Sequence, residues 1–238
     1  MTAMRLHRYP SPSGGIALGK MGVGATMLKQ GKTARDYVQS GLVAMWDGIE
    51  NAGWGVHDAN ATTWKDLVSG TLNDVSGKGE FTANAFHATT RMVGNLDTTA
   101  IRNAIGMSVF SAEAVFSSAS INAAIFMWGD PRAFAFTTLA DYATRFLSGN
   151  TVISQTDSDV GKFTEGYSIA RNGLQAKAYF RGVQLGAETT CAAIGNPTAG
   201  IDVPAARTIN NFRIYSRALT ADEIAANYAI DKERFNLP

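Results

Sequence analysis

The 27 residues 209–235, near the end of the chain, constrain its fold more than any other stretch, and they read INNFRIYSRALTADEIAANYAIDKERF. Phe212 and Ile214 alternate with Arg213 and Tyr215, the period of a strand that buries one face. The chain then turns at 216–219 and enters a helix. Thr220 and Glu223 have the spacing of a capping box: the threonine hydroxyl accepts from the Glu223 backbone N–H, and the glutamate reaches back to the Thr220 N–H. Leu219 and Ile224 stand at the staple positions on either side, and Ile224 and Tyr228 continue as a short apolar stripe. A strand that turns into so short an amphipathic helix has too little surface to fold alone, so it must close a larger body.

The rest of the chain has the texture of that body. At 238 residues and 45% hydrophobic composition it can bury a full core in one domain. Short alternating runs broken by Gly, Asn, Asp and Ser predict strands at 42–46, 107–116, 123–129, 133–139, 143–147, 151–155, 164–171, 174–180 and 207–215. Helical turns are expected at 33–38 and 98–105. Close strand spacing with little helix between favours a sandwich over an α/β fold, and no repeat of solenoid or propeller period is present.

Several stretches are similar to a known family. The segment Gly41-Leu42-Val43-Ala44-Met45-Trp46-Asp47-Gly48 resembles the opening strand, and Trp64-Lys65-Asp66-Leu67-Val68-Ser69-Gly70 an early turn, of laminin G-like domains in the concanavalin A-like lectin/glucanase superfamily. The run 107–116 is similar to the family strand that carries an acidic residue, here Glu113, with 125–129 as its partner. The stretch 167–182, with Gly173 and Tyr179-Phe180-Arg181-Gly182, resembles a family hairpin, and 209–235 its closing strand and helix. The resemblance covers residues 41–235. It implies an all-β fold, a concanavalin A-like jelly-roll β-sandwich over 41–238 with a short C-terminal α-helix, preceded by an extended N-terminal arm at 1–40. It also implies a chain that binds rather than catalyses, with the closing segment contributing packing and function lying elsewhere.

The arm differs from the body in charge. Residues 1–36 hold six basic side chains and one acid, whereas the remainder holds 15 basic and 19 acidic side chains, so a +5 arm precedes a −4 body. Six glycines and two prolines before residue 36 keep the arm from folding alone. Its scattered Ile16, Leu18, Met21, Val23, Met27 and Leu28 suit a docking arm as well as a tail. Arg5, Arg8, Lys20 and Lys29 are its candidate docking residues. Basic groups spread without interleaved aromatics disfavour nucleic acid. No apolar run approaches the roughly 18 residues of a membrane span, and the prolines and glycines after Tyr9 are expected to rule out a secretory signal. The single Cys191 reads as a small buried hydrophobe.

Three regions could carry chemistry. The loop 46–64 packs three tryptophans and His57 among acids and amides, the residue types that stack on a sugar face and fix its hydroxyls. Trp46 fits the core, while Trp54, His57, Asp58 and Asn60 are the candidate ligand residues. Asp157 and Asp159 are the nearest local candidates for a calcium ion, which laminin G-like relatives hold at the sandwich rim, with Asp66 and Asp74 next; solvated turn residues are the alternative reading. The three histidines are scattered and no cysteine pair joins them, which speaks against a transition-metal centre. Glu113 has no second acid two or four residues away, and a glycosidase needs two carboxylates across one cleft.

The opening Trp46-Asp47-Gly48-Ile49-Glu50-Asn51-Ala52-Gly53 resembles that of laminin G-like proteins of gut bacteria and their phages, and with the basic arm and no expected secretory signal this resemblance implies a non-enzymatic phage virion structural protein, a capsid decoration, fibre or tail component. It is made in the host cytoplasm, oligomeric in an assembly, docked to other virion proteins through its arm, and presents the sandwich to host-surface glycans or neighbouring subunits. The alternatives are a standalone or exported lectin-like module of a bacterial surface, and a glycoside hydrolase with a non-standard site.

Overall fold

A computed structural model of the protein describes residues 31–96, 109–128, 133–194 and 201–238. Within them two antiparallel sheets form a sandwich. The larger runs β14 (Val183–Thr190), β13 (Gln175–Phe180), β12 (Glu165–Asn172), β7 (Val109–Ser118), β16 (Arg207–Tyr215), β5 (Phe86–Ala88) and β4 (Gly79–Phe81), with β1 (Leu42–Asp47) also paired to β16. The smaller runs β11 (Thr151–Gln155), β10 (Thr144–Ser148), β9 (Ala135–Thr138), β8 (Ala123–Trp128), β15 (Ile201–Val203) and β6 (Met92–Leu96). A short hairpin, β2 (Thr63–Lys65) and β3 (Leu72–Asp74), stands apart from both sheets, and one helix, α1 (Ala221–Phe235), follows β16. This is the all-β sandwich with a C-terminal helix that the sequence predicts.

Alternation along β7 and β16 divides the large sheet into two faces. Phe110, Ala112, Ala114 and Phe116, with Phe212 and Ile214, point into the core toward Phe134, Phe136 and Phe146. Trp46 stacks on Phe212 at 5.8 Å, and Tyr167 on Phe116 at 4.4 Å. Trp64 is also in the core, edge-on to Phe81, and it donates its indole N–H to the Asp47 carbonyl. Burying aromatic area of this size is the main source of stability in such a sandwich.

The other face of β7 and β16 carries Ser111, Glu113, Val115, Arg213 and Tyr215, and α1 covers it. The capping box at Thr220 and Glu223 forms as expected, and the helix ends at Asn236 in the left-handed region. Leu219 and Ile224 lie in one cluster with Tyr179 and Tyr215. The docking surface is more polar than an apolar stripe. Arg213 reaches Asp231 through two hydrogen bonds of 2.7 and 2.8 Å, and Glu113 through a third of 3.1 Å. Asn227 donates to Glu113 at 2.7 Å and to the Tyr215 hydroxyl at 3.0 Å. Arg234 is held by Asp47 and Glu50. Where Tyr228 of α1 crosses β12, a Cβ on Gly166 would lie 2.8 Å from the tyrosine ring, so the close approach requires glycine there.

Part of the segment assigned to the arm belongs to this body. Thr33 caps a 3-10 turn at Ala34–Asp36, within the helical turn expected at 33–38. The Ala34 N–H donates to Glu50, the Val38 N–H to Asn227, and the Tyr37 hydroxyl to Asp231 at 2.7 Å. The packed unit thus begins before residue 41. The expected helical turn at 98–105 lies outside the described residues.

Arg213, Glu113 and Asp231 are each no more than 3% exposed. Removing one partner leaves an uncompensated buried charge. Asp231→Ala is therefore expected to lower stability by about 3–5 kcal/mol, read as a shift of the urea midpoint with an unchanged slope.

Candidate functional site

The tryptophan loop is a closed piece of structure. The Asn51 amide clamps Asp58 by donating to its carbonyl at 2.7 Å and accepting from its N–H at 2.8 Å. The Asp58 carboxylate accepts from the Asn60 N–H at 2.9 Å, and His57 Nδ1 lies 3.0 Å from the Ile49 carbonyl. Trp54 is half-buried beside Ala34, Tyr37, Met45, Leu67 and Ile230, and the Arg35 guanidinium covers its ring at 4.5 Å. The structure does bring Trp54, His57, Asp58 and Asn60 into one loop. The hydrogen bonds of His57 and Asp58 hold that loop together.

Asp157 and Asp159 sit in an exposed turn. Asp159 adopts φ +67° and pairs with Lys162 at 2.6 Å. The Asp66 carboxylate accepts from the Met45 and Val68 N–H groups and the Ser69 hydroxyl, and Asp74 accepts from the Ser76 N–H, so both shape their turns. Among the described residues no three His, Cys, Asp or Glu side chains gather where a metal ion could bind them. Glu113 is buried under α1 with Arg213, Asn227 and Ser168 as partners, out of reach of a substrate. Cys191 is buried, and burial pushes its thiol above the ordinary range. Arg5, Arg8, Lys20 and Lys29 lie outside the described residues, and no helix described is long and apolar enough to cross a membrane.

A groove of about 400 Å³ opens elsewhere, between the outer face of β12–β14 and the start of α1. Its floor comes from the alternation of β13, which turns Ala176 and Ala178 into the core and Gln175, Lys177 and Tyr179 outward. Its far side comes from a bulge in β14. Ala176 pairs with Thr189 but Ala178 with Leu185, so 186–188 stand opposite Lys177 alone. Gly186 takes φ +75° in that bulge, a conformation that favours glycine. The bulge sets Glu188 beside Lys177, their charged atoms 3.8 Å apart. The near wall is the turn before α1, fixed by the Leu219 N–H on the Ser111 hydroxyl at 2.8 Å and by Arg217, which holds Glu223 at 2.6 and 2.7 Å.

Several polar groups of the groove are uncommitted. The body of Tyr179 is buried, and its hydroxyl, at the groove floor, makes no hydrogen bond among the described residues. Burial, with the charge of Glu188 nearby, raises its pKa above the ordinary phenol range, so the hydroxyl keeps its proton at neutral pH. The Asn172 amide is likewise without a partner among the described residues, and the Gln184 amide nitrogen is bonded to the Gly186 carbonyl while its oxygen is free. An aromatic ring among amides, one ammonium and one carboxylate is a surface that takes hydrogen bonds from a polyhydroxylated ligand. The sequence carries half of this signal, since Gln175, Lys177 and Tyr179 alternate along a predicted strand. Gln184 joins them as the register partner of Tyr179, and Glu188 only through the bulge, which no spacing marks.

No protein-family model matches the chain, and no curated protein matches it in sequence. Solved structures do match in fold. A Trypanosoma rangeli sialidase in complex with sialic acid superposes with a TM-score of 0.61 at 17% identity over 79% of this chain and 32% of the sialidase. The receptor-binding domain of a botulinum neurotoxin C/D mosaic serotype superposes with a TM-score of 0.53 at 13% identity over 79% of this chain and 51% of that domain. The chain thus spans about a third of the sialidase and half of the toxin domain. These likenesses establish the sandwich and do not single out laminin G. They also correct the expectation of a chain without enzymatic character, because sialidases are enzymes and this fold forms part of one.

The Arg217 guanidinium and the capping hydrogen bonds hold the Glu223 carboxyl at about 2 instead of the usual 4.5. A pKa lowered on folding contributes stability that is fully present above the unfolded value and lost as pH falls from there toward the folded value. Between about pH 5 and pH 2, the wild-type chain is expected to lose stability more steeply than Glu223→Gln, as seen by acid titration of the urea midpoint for both.

Proposed function

We propose that the chain is a glycan-recognition module whose ligand site is the groove between β12–β14 and α1. The observation that carries this reading is the Tyr179 hydroxyl, held on the groove floor by a buried ring and making no hydrogen bond among the described residues, beside amide and charged groups with capacity to spare. A hydroxyl fixed in place by a buried ring exchanges water for a ligand hydroxyl with little loss of side-chain freedom. The fold is in keeping with this. One matching structure is a sialidase in complex with sialic acid and another is a toxin receptor-binding domain, and folds of one kind host many sites.

The finer setting proposed is a phage virion component docked through the basic residues of 1–30, and its support is the charge and composition of that arm. Mass spectrometry of purified particles decides it, since absence from them removes the virion setting while leaving the groove intact. Calcium is the proposed cation, at the turn that holds Asp157 and Asp159.

A glycan array with the full chain, run in calcium and in chelator, is expected to give binding that Tyr179→Phe weakens about five- to tenfold, the equivalent of one hydrogen bond of about 1 kcal/mol or slightly more. The tyrosine ring stays in place in that variant, so the fold is kept. Loss of binding in chelator that Asp159→Asn reproduces is the result expected of a calcium site in that turn. Binding that is indifferent to both Tyr179→Phe and Gln184→Ala would sink the assignment of the groove.

A further inference from the structure

The charge arrangement of the groove narrows the ligand, and we infer that it takes a neutral sugar with a vicinal diol rather than a sugar acid or a sulfated or sialylated terminus. The inference rests on the glycan reading above and specifies its substrate class. Carboxylate and sulfate groups are recognised best by arginine, whose planar fork gives two parallel charge-assisted hydrogen bonds. No arginine lines the groove among the described residues. Arg217, next to it in sequence, spends its guanidinium on both oxygens of Glu223.

Among the described residues the single cation that lines it is already matched. Lys177 faces Glu188 at 3.8 Å, with the two side chains 38% and 46% exposed. An anionic ligand reaching Lys177 brings a second negative charge against Glu188, and like charges juxtaposed in a binding site are unfavourable. Asp222 in the first turn of α1 adds negative charge beside the same wall and offsets the positive end of the helix, while Glu223 is matched by Arg217.

The same arrangement suits a neutral diol. A carboxylate has two oxygens and accepts from two adjacent hydroxyls, as Glu188 can. The Lys177 ammonium and the Asn172 amide donate to the lone pairs of those hydroxyls, and the Tyr179 hydroxyl either donates or accepts. At 3.8 Å the Lys177–Glu188 pair is longer than a direct hydrogen bond, so both groups keep free donor and acceptor capacity. A volume of about 400 Å³ is near the lower end of the roughly 300–1,000 Å³ of small-molecule sites, which limits the ligand to a short terminus.

The test is isothermal titration of the full chain with two matched probes: oligosaccharides ending in a neutral hexose, and the same oligosaccharides with that hexose capped by a carboxylate sugar or a sulfate ester. The uncapped probes are expected to bind at least tenfold more tightly, and Glu188→Gln to weaken them by about tenfold or more, the loss of charge-assisted hydrogen bonds. Capped probes that bind as tightly or more tightly, with Lys177→Met abolishing that binding, overturn the inference and leave glycan recognition standing. Binding of neither class, with a folded protein by circular dichroism, overturns both. Neutral binding that Glu188→Gln leaves unchanged overturns the role of the Lys177–Glu188 pair.

Discussion

Everything on the outer face of the large sheet is arranged around the buried guanidinium of Arg213. It projects from the middle of β16, where water cannot reach it, and is bonded to Glu113 from the neighbouring strand and to Asp231 from α1. The Tyr37 ring lies 3.9 Å above it. Taking an arginine and two carboxylates out of water costs several kcal/mol per ion, so such a cluster persists only when each charge is answered with good geometry. Here it is answered from three directions. That requirement fixes how α1 lies, because its residues 227, 231 and 234 must each meet a named partner on the sheet or in the segment before β1. A purely apolar face would tolerate sliding and rotation; hydrogen-bonded charges do not.

The position of the groove follows from that constraint. Its near wall is the first turn of α1, and the helix is anchored at its middle and end by the Arg213 and Arg234 clusters. The capping box, the Arg217–Glu223 pair and the Leu219 hydrogen bond then set the start of the helix over Ala170 and Tyr179. On the opposite side the floor is a hairpin whose bulge is fixed by its pairing register. Both walls are therefore held by interactions outside the groove. Site residues supported in this way lose little freedom on binding, which is the condition for useful affinity from few contacts.

The strands that bury one face by alternation were legible in the sequence, as were the capped helix, its staple and the turn near residue 34, because each rests on a pattern local in the chain. The five short strands between residues 63 and 96 were not, since runs of three to five residues flanked by Gly, Asn and Asp show no period; β2–β3 and β4–β5 are short hairpins, and β5 and β6 are fixed by pairing with the distant β16 and β15. β14 escaped for a related reason. It is an edge strand, largely exposed and bulged, so no apolar alternation marks it. The charge cluster was hidden by distance. Glu113 and Arg213 are 100 residues apart and Tyr37 and Asp231 are 194 apart, and only the folded register brings them together. The same holds at the site, where a loop rich in tryptophan and amides advertised itself while the groove depended on a bulge.

That contrast bears on how a tryptophan-rich loop should be weighed against a plain hairpin. In 46–64 the aromatic and polar groups sit close in sequence, and closeness lets them satisfy one another: Asn51 takes Asp58, Asp58 takes Asn60, and Arg35 takes the face of Trp54. Groups satisfied internally have less to give a ligand, because binding must first break what holds the loop. In β13, paired on one side to β12 and on the other to β14, the polar side chains stand on a pleat, so alternation keeps Lys177 and Tyr179 apart from their sequence neighbours. Their hydrogen-bonding capacity is left over for something outside the chain. Density of suggestive residues in sequence is therefore weaker evidence for a binding site than residual polarity on a rigid surface, and by that measure the groove outranks the loop.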